Sequence, residues 1–148
     1  MLLLESHAPE NLVRARHEFE AELALNPGDA VAEYEIGQIA LASQQSEALR
    51  HFERAAALSP DFAEALQAIA KARMEARQYG EAITLLERVV HLQPANESAH
   101  YTLMLAYRNA GRAADAAREQ AALDKLREKP EGEFTDFLKR LGEKAPKP

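Results

Sequence analysis

The sequence predicts an all-α chain built from consecutive helix pairs, and three observations predict it. Ala (30), Glu (19) and Leu (19) make up 68 of the 148 residues, while Val, Ile and Thr number 4, 4 and 3. Helix formers dominate, and the β-branched residues that favour sheets are scarce. Pro27, Pro60 and Pro94 stand 33 and 34 residues apart, and Ala15, Ala48, Ala82 and Ala116 recur at 33, 34 and 34. One register shared by two residue types marks a structural repeat. With 47% apolar and 28% charged residues, the chain has the surface to fill a core, and its length suits one domain.

The elements follow from this register. Each proline sits in a short phrase, Asn26-Pro27-Gly28-Asp29, Ser59-Pro60-Asp61 and Gln93-Pro94-Ala95-Asn96. Proline stops one helix there, and Asp or Asn is placed to cap the next. The alanine-bearing helix of each unit carries Phe19, Phe52 or Leu86 four residues after its alanine, and Gln120 in the last unit. A preceding helix repeats as Tyr34-Glu35-Ile36-Gly37, Gln67-Ala68-Ile69-Ala70 and Tyr101-Thr102-Leu103-Met104. Small residues allow two helices to approach, so Gly37 opposite Ala48 and Ala70 opposite Ala82 are expected at close contacts. After Pro130, Phe134, Phe137, Leu138 and Leu141 fall at i, i+3, i+4 and i+7 before Gly142. That spacing predicts a separate amphipathic helix covering the last apolar edge.

These residues resemble the tetratricopeptide repeat, a 34-residue helix–turn–helix unit with an Ala-x₃-Phe…Pro second helix. The resemblance covers roughly residues 10–130. It implies an α-solenoid of antiparallel helix pairs forming a right-handed superhelix with a C-terminal capping helix. The expected division is a partial repeat 1–29, repeats 30–62, 63–96 and 97–130, and a capping helix and tail 131–148. The truncated first unit is expected if the chain is the C-terminal piece of a longer bacterial-type array, the alternative being a native short capping helix.

The resemblance also implies a function. Repeats of this family turn their first helices toward a concave groove that holds a segment of another protein. Carried over by place in the unit, the expected peptide-binding residues are Tyr34, Gln38, Gln67, Lys71, Met74, Tyr101, Leu105, Arg108 and Asn109. The Lys, Arg and Asn clamp that some members use against a terminal carboxylate is not in this sequence, since Lys71 and Arg108 are the only groove cations. Tyr34, Met74, Tyr101 and Leu105 instead suit apolar side chains of an extended or helical segment, although the tyrosines fit a role in packing equally well.

Other functional classes find little support. Cysteine is absent, and no two of His7, His17, His51, His91 and His100 make an i, i+4 pair. No metal site, cofactor or catalytic residue is therefore expected. The six glycines form no phosphate-binding loop, and no Gly-x-Ser-x-Gly elbow occurs. A net charge of −6 without a basic cluster disfavours nucleic acid. Met1-Leu2-Leu3-Leu4 is too short for a signal peptide, and no segment has the length of a membrane span; a cytoplasmic location is the default expectation. The reading is thus a non-enzymatic scaffold for a protein or peptide partner. Its alternatives are a homodimer formed through the incomplete first repeat and a substrate-presenting region of a larger enzyme.

Overall fold

The computed structural model describes residues 9–144, with backbone only at 129–135 and 143–144. The described residues form seven α-helices and no strand: α1 Pro9–Leu25, α2 Ala30–Ala42, α3 Ala48–Leu58, α4 Ala63–Glu75, α5 Tyr79–Leu92, α6 Glu97–Asn109 and α7 Ala113–Lys144. Packing follows chain order. The pairs α2–α3, α4–α5 and α6–α7 make the broadest contacts, α1 rests on α2, and α4 also touches α6.

The turn inside each pair is built three times in the same way. The amide of Gln45 donates to Ala40 O (2.8 Å) and that of Gln44 to Leu41 O (3.1 Å). Gln78 and Arg77 repeat this on Arg73 O and Met74 O, and Arg112 and Gly111 on Tyr107 O and Arg108 O. These are paired Schellman bonds, which place one residue in the left-handed region. That residue is Gln44 (φ 57), Arg77 (φ 59) or Gly111 (φ 75). Only glycine adopts such a φ without a Cβ penalty. Arg77→Gly is therefore expected to stabilise the chain by about 0.5–1 kcal/mol, read as a higher urea midpoint, and Gly111→Arg to lower it comparably.

The turns between pairs hold the three repeated prolines. Asp29 and Asn96 cap α2 and α6, accepting from the amides of Ala32 and Ala99 at 3.0 Å each. The cap expected from Asp61 does not form. α4 starts one residue later, with Phe62 at the cap position and no side-chain bond, and Asp61 pairs with Arg88 instead.

The repeated alanines Ala48, Ala82 and Ala116 are buried, as are Phe52 and Leu86. Gly37 is required for a reason the sequence did not indicate: a Cβ there would lie 2.7 Å from Cε1 of Phe52. It makes room for the buried Phe52 ring. Tyr34 meets the same ring at 5.7 Å and Phe62 edge-on at 5.1 Å. α1 buries no residue: Leu12, Ala15, Phe19 and Leu23 are half-buried, and Val13 and Leu25 are exposed.

The expected separate helix after Pro130 is not observed. α7 runs on through Pro130 and Gly142 to Lys144, and Phe137, Leu138 and Leu141 are about half exposed, where a cap would have buried them. The three repeated prolines are followed within two residues by Asp29, Asp61 or Asn96, whereas Glu131-Gly132-Glu133 follows Pro130. The sequence there supplies no short capping side chain to begin a new helix. Phe134 has no described side chain, and Met1–Ala8 and 145–148 lie outside the described residues.

Candidate binding groove

An open groove of about 690 Å³ lies between α2, α3 and α4 and reaches the first turns of α6. Its apolar wall comprises Leu41, Leu49, Phe52 and Ala68, and Gln38, Glu64, Gln67, Lys71 and Glu75 supply polar groups. Helical spacing creates this surface. Tyr34, Gln38 and Leu41 recur along one face of α2, and Glu64, Gln67, Ala68, Lys71 and Glu75 along one face of α4.

Of the nine residues expected on the groove, Tyr34, Gln38, Gln67 and Lys71 line it. The other five do not. Met74 and Leu105 pack against the cluster that contains Ala70, Leu103 and Met104. Arg108 lines a smaller cleft with Ala113, Ala116, Ala117 and Gln120. Tyr101 stands half exposed on α6, and the Asn109 side chain donates to Leu105 O at 2.9 Å. Gln45, Ser46 and Leu49, from the turn and start of α3, join the lining. Counting places along first helices alone passes over such residues.

Several lining groups are already engaged. Gln38 Nε2 donates to the Tyr34 hydroxyl. Gln67 accepts from Asn96 Nδ2 (2.9 Å) and donates to Ser98 Oγ (3.1 Å), while Gln93 donates to Glu64 (3.2 Å). This ladder ties the second helix pair to the third along the groove edge. Lys71 is exposed and makes no ion pair among the described residues. Its charge, between Glu64 and Glu75 on the same helix face, is available to an incoming carboxylate or carbonyl.

Two His–Glu contacts join helices of a pair, one buried and one part-buried. His51 Nδ1 is 2.8 Å from Glu33 Oε2, and His100 Nδ1 is 2.6 Å from Glu119 Oε2. Their order is reversed: glutamate lies on the first helix of one unit, histidine on the first helix of the other. The equivalent places in the middle unit hold Leu66 and Leu85, which share one apolar cluster. These pairs join the two helices of a unit and gather no metal-binding set. Among the described residues no group of three or more His, Cys, Asp or Glu side chains could hold a metal ion. No described helix is long and apolar enough to cross a membrane.

At the far end, Tyr107 donates to Glu87 Oε1 (2.7 Å) and Arg112 stacks 4.8 Å over its ring. Burial, with the bond to Glu87, pushes the phenol up to about 12 from the usual 10.0. Below pH 10 folded and unfolded chains both keep the proton and the contribution to stability is complete. Above it the unfolded chain ionises first, so stability is lost as pH rises toward the folded value. The melting temperature is expected to fall between about pH 10 and 12, and by less in Tyr107→Phe. At the opposite end, the hydrogen bond from Arg16 holds the Glu47 carboxyl below its ordinary range.

Stacked helix pairs with a 33–34-residue register and a concave face define a tetratricopeptide-repeat α-solenoid. Solved structures bear this out. The chain resembles one described as "Crystal structure of MamA" with a TM-score of 0.70 at 20% identity, over 82% of this chain and 72% of that one. It resembles a second, "MamA 41-end from Desulfovibrio magneticus RS-1", with a TM-score of 0.65 at 24% identity, over 84% of this chain and 78% of that one. The sequence matches the bacterial transcriptional activator domain family over residues 4–143, and the chain belongs to that family. Among curated protein sequences none matches it.

Proposed function

We propose that this chain is a protein-interaction module that receives an extended or helical segment of a partner protein in the groove between α2, α3 and α4. The observation that carries this reading is the groove itself. At about 690 Å³ it lies within the usual range for ligand sites, and it combines an apolar wall with a few placed polar groups. Lys71 orients the segment, and Leu41, Leu49 and Ala68 take its apolar side chains. The family's description as a transcriptional activator domain supports a partner within a bacterial transcription-regulating assembly. The net charge of −6 favours contact with protein over contact with phosphate backbones.

The test is selection of peptides from a random library against the chain, followed by titration into variants. Lys71→Glu combined with Leu41→Asp is expected to weaken selected peptides by about tenfold or more, a loss of at least about 1.4 kcal/mol. Arg88→Glu, outside the groove, is expected to leave them unchanged. Peptides that bind a folded Lys71→Glu/Leu41→Asp chain as tightly as the parent would show that the groove is not the working surface.

A further inference from the structure

The repeat register assigns a place to the exposed end of α7. In the middle unit, Ala82, Ile83 and Leu86 of α5 are buried in one cluster with Leu103, Met104 and Tyr107 of the next helix, α6. Thirty-four residues on, the equivalents of the first three are Ala116, Ala117 and Gln120 of α7. These line an open cleft of about 290 Å³ with Ala113 and Arg108, and Ala117 is exposed. The same step from the covering residues leads from Leu103 to Phe137, from Met104 to Leu138 and from Tyr107 to Leu141. These three are the half-exposed apolar side chains of the α7 extension. The extension thus carries the side chains that cover such a cleft, at the places where the preceding unit carries them.

It cannot cover its own. α7 is one helix from Ala113 to Lys144, and at 1.5 Å per residue Leu138 lies about 32 Å along the axis from Ala117. We propose that the cleft is filled by a second copy of this chain: residues 136–142 of each copy lie across the α6–α7 cleft of the other. In an antiparallel pair of α7 helices Ala117 of one faces Leu138 of the other at both ends, with the two-fold axis crossing at about residue 128. One geometry then covers both apolar stripes and both clefts. The arrangement does not depend on the groove, with which the cleft shares no lining residue.

Light scattering and sedimentation of the chain across a wide concentration range test this, with Phe137→Asp/Leu138→Asp as the variant. Both residues are exposed, so the variant is expected to stay folded, checked by helicity and melting of the dilute protein. A parent dimer whose dissociation constant rises at least tenfold in the variant is the expected result. The sequence has no cysteine, so an Ala117→Cys chain mixed with a Leu138→Cys chain reports the geometry. A disulfide between the two different chains, in excess over either with itself, is expected on oxidation. A parent that is monomeric at every concentration overturns the proposal. So does closure of Ala117→Cys/Leu138→Cys within a single chain at high dilution, which would show that the segment folds back on its own cleft.

Discussion

Glu33→Leu alone is expected to destabilise the chain by about 3 kcal/mol, and Glu33→Leu with His51→Leu to restore the parent's stability or exceed it. The reason is the accounting of buried polar atoms. His51 is 7% exposed, its Nε2 has no hydrogen-bond partner, and its Nδ1 has Glu33. Removing the carboxylate leaves both ring nitrogens buried and unbonded, and a buried unsatisfied group costs about 1–3 kcal/mol. Removing both partners leaves none. Replacing a buried ionisable pair by apolar residues of similar volume is commonly neutral or stabilising by about 1–4 kcal/mol. The chain already contains this alternative, since Leu66 and Leu85 occupy the equivalent places in the middle unit. Urea denaturation of the parent, the two single variants and the double variant completes the cycle. A double variant less stable than Glu33→Leu would show that the pair is not exchangeable with the middle unit's leucines.

Leu86→Ala is expected to cost about 2–5 kcal/mol. Leu86 is fully buried in the cluster where α4, α5, α6 and α7 meet, with Ala82, Leu103, Met104 and Tyr107 around it. Alanine there removes the transfer energy of the lost carbons and leaves a void lined on several sides, which rigid helices fill poorly. Leu58→Ala is the control, because Leu58 is 44% exposed and should change stability by about 0.5 kcal/mol or less. Coincident midpoints for the two variants would contradict the core described above.

The repeat itself was legible because its punctuation is written in residue types with strong backbone preferences. Pro27, Pro60 and Pro94 fall between helix pairs, and Ala48, Ala82 and Ala116 fall at buried contacts. Pro130 broke this rule. A single proline removes one helical hydrogen bond and need not end a helix when no capping residue follows to start another. The groove was legible in part. Counting places placed Tyr34, Gln38, Gln67 and Lys71 on it, because α2 and α4 each have a further helix pair beside them. α6 is followed by no such pair among the described residues, and Leu105 and Met74 turn to the core. The Glu33–His51 and His100–Glu119 contacts were hidden by their separations of 18 and 19 residues. They show only when the same two places are compared across units.

The absence of any buried residue in α1 has a kinetic consequence. Among the described helices α1 packs broadly on α2 alone, whereas an inner helix leans on a neighbour at each side. Opening α1 breaks one of these interfaces, and opening an inner helix breaks two. Amide hydrogens of α1 should therefore exchange with solvent fastest among the described helices, and those of α5 and α6 slowest. A protease should first cut near the exposed Asn26-Pro27-Gly28 turn, releasing α1 while the remaining helices stay assembled. Unfolding of the described helices then begins at α1 and advances by helix pairs, so that heat, denaturant and proteolysis each register a graded loss of structure.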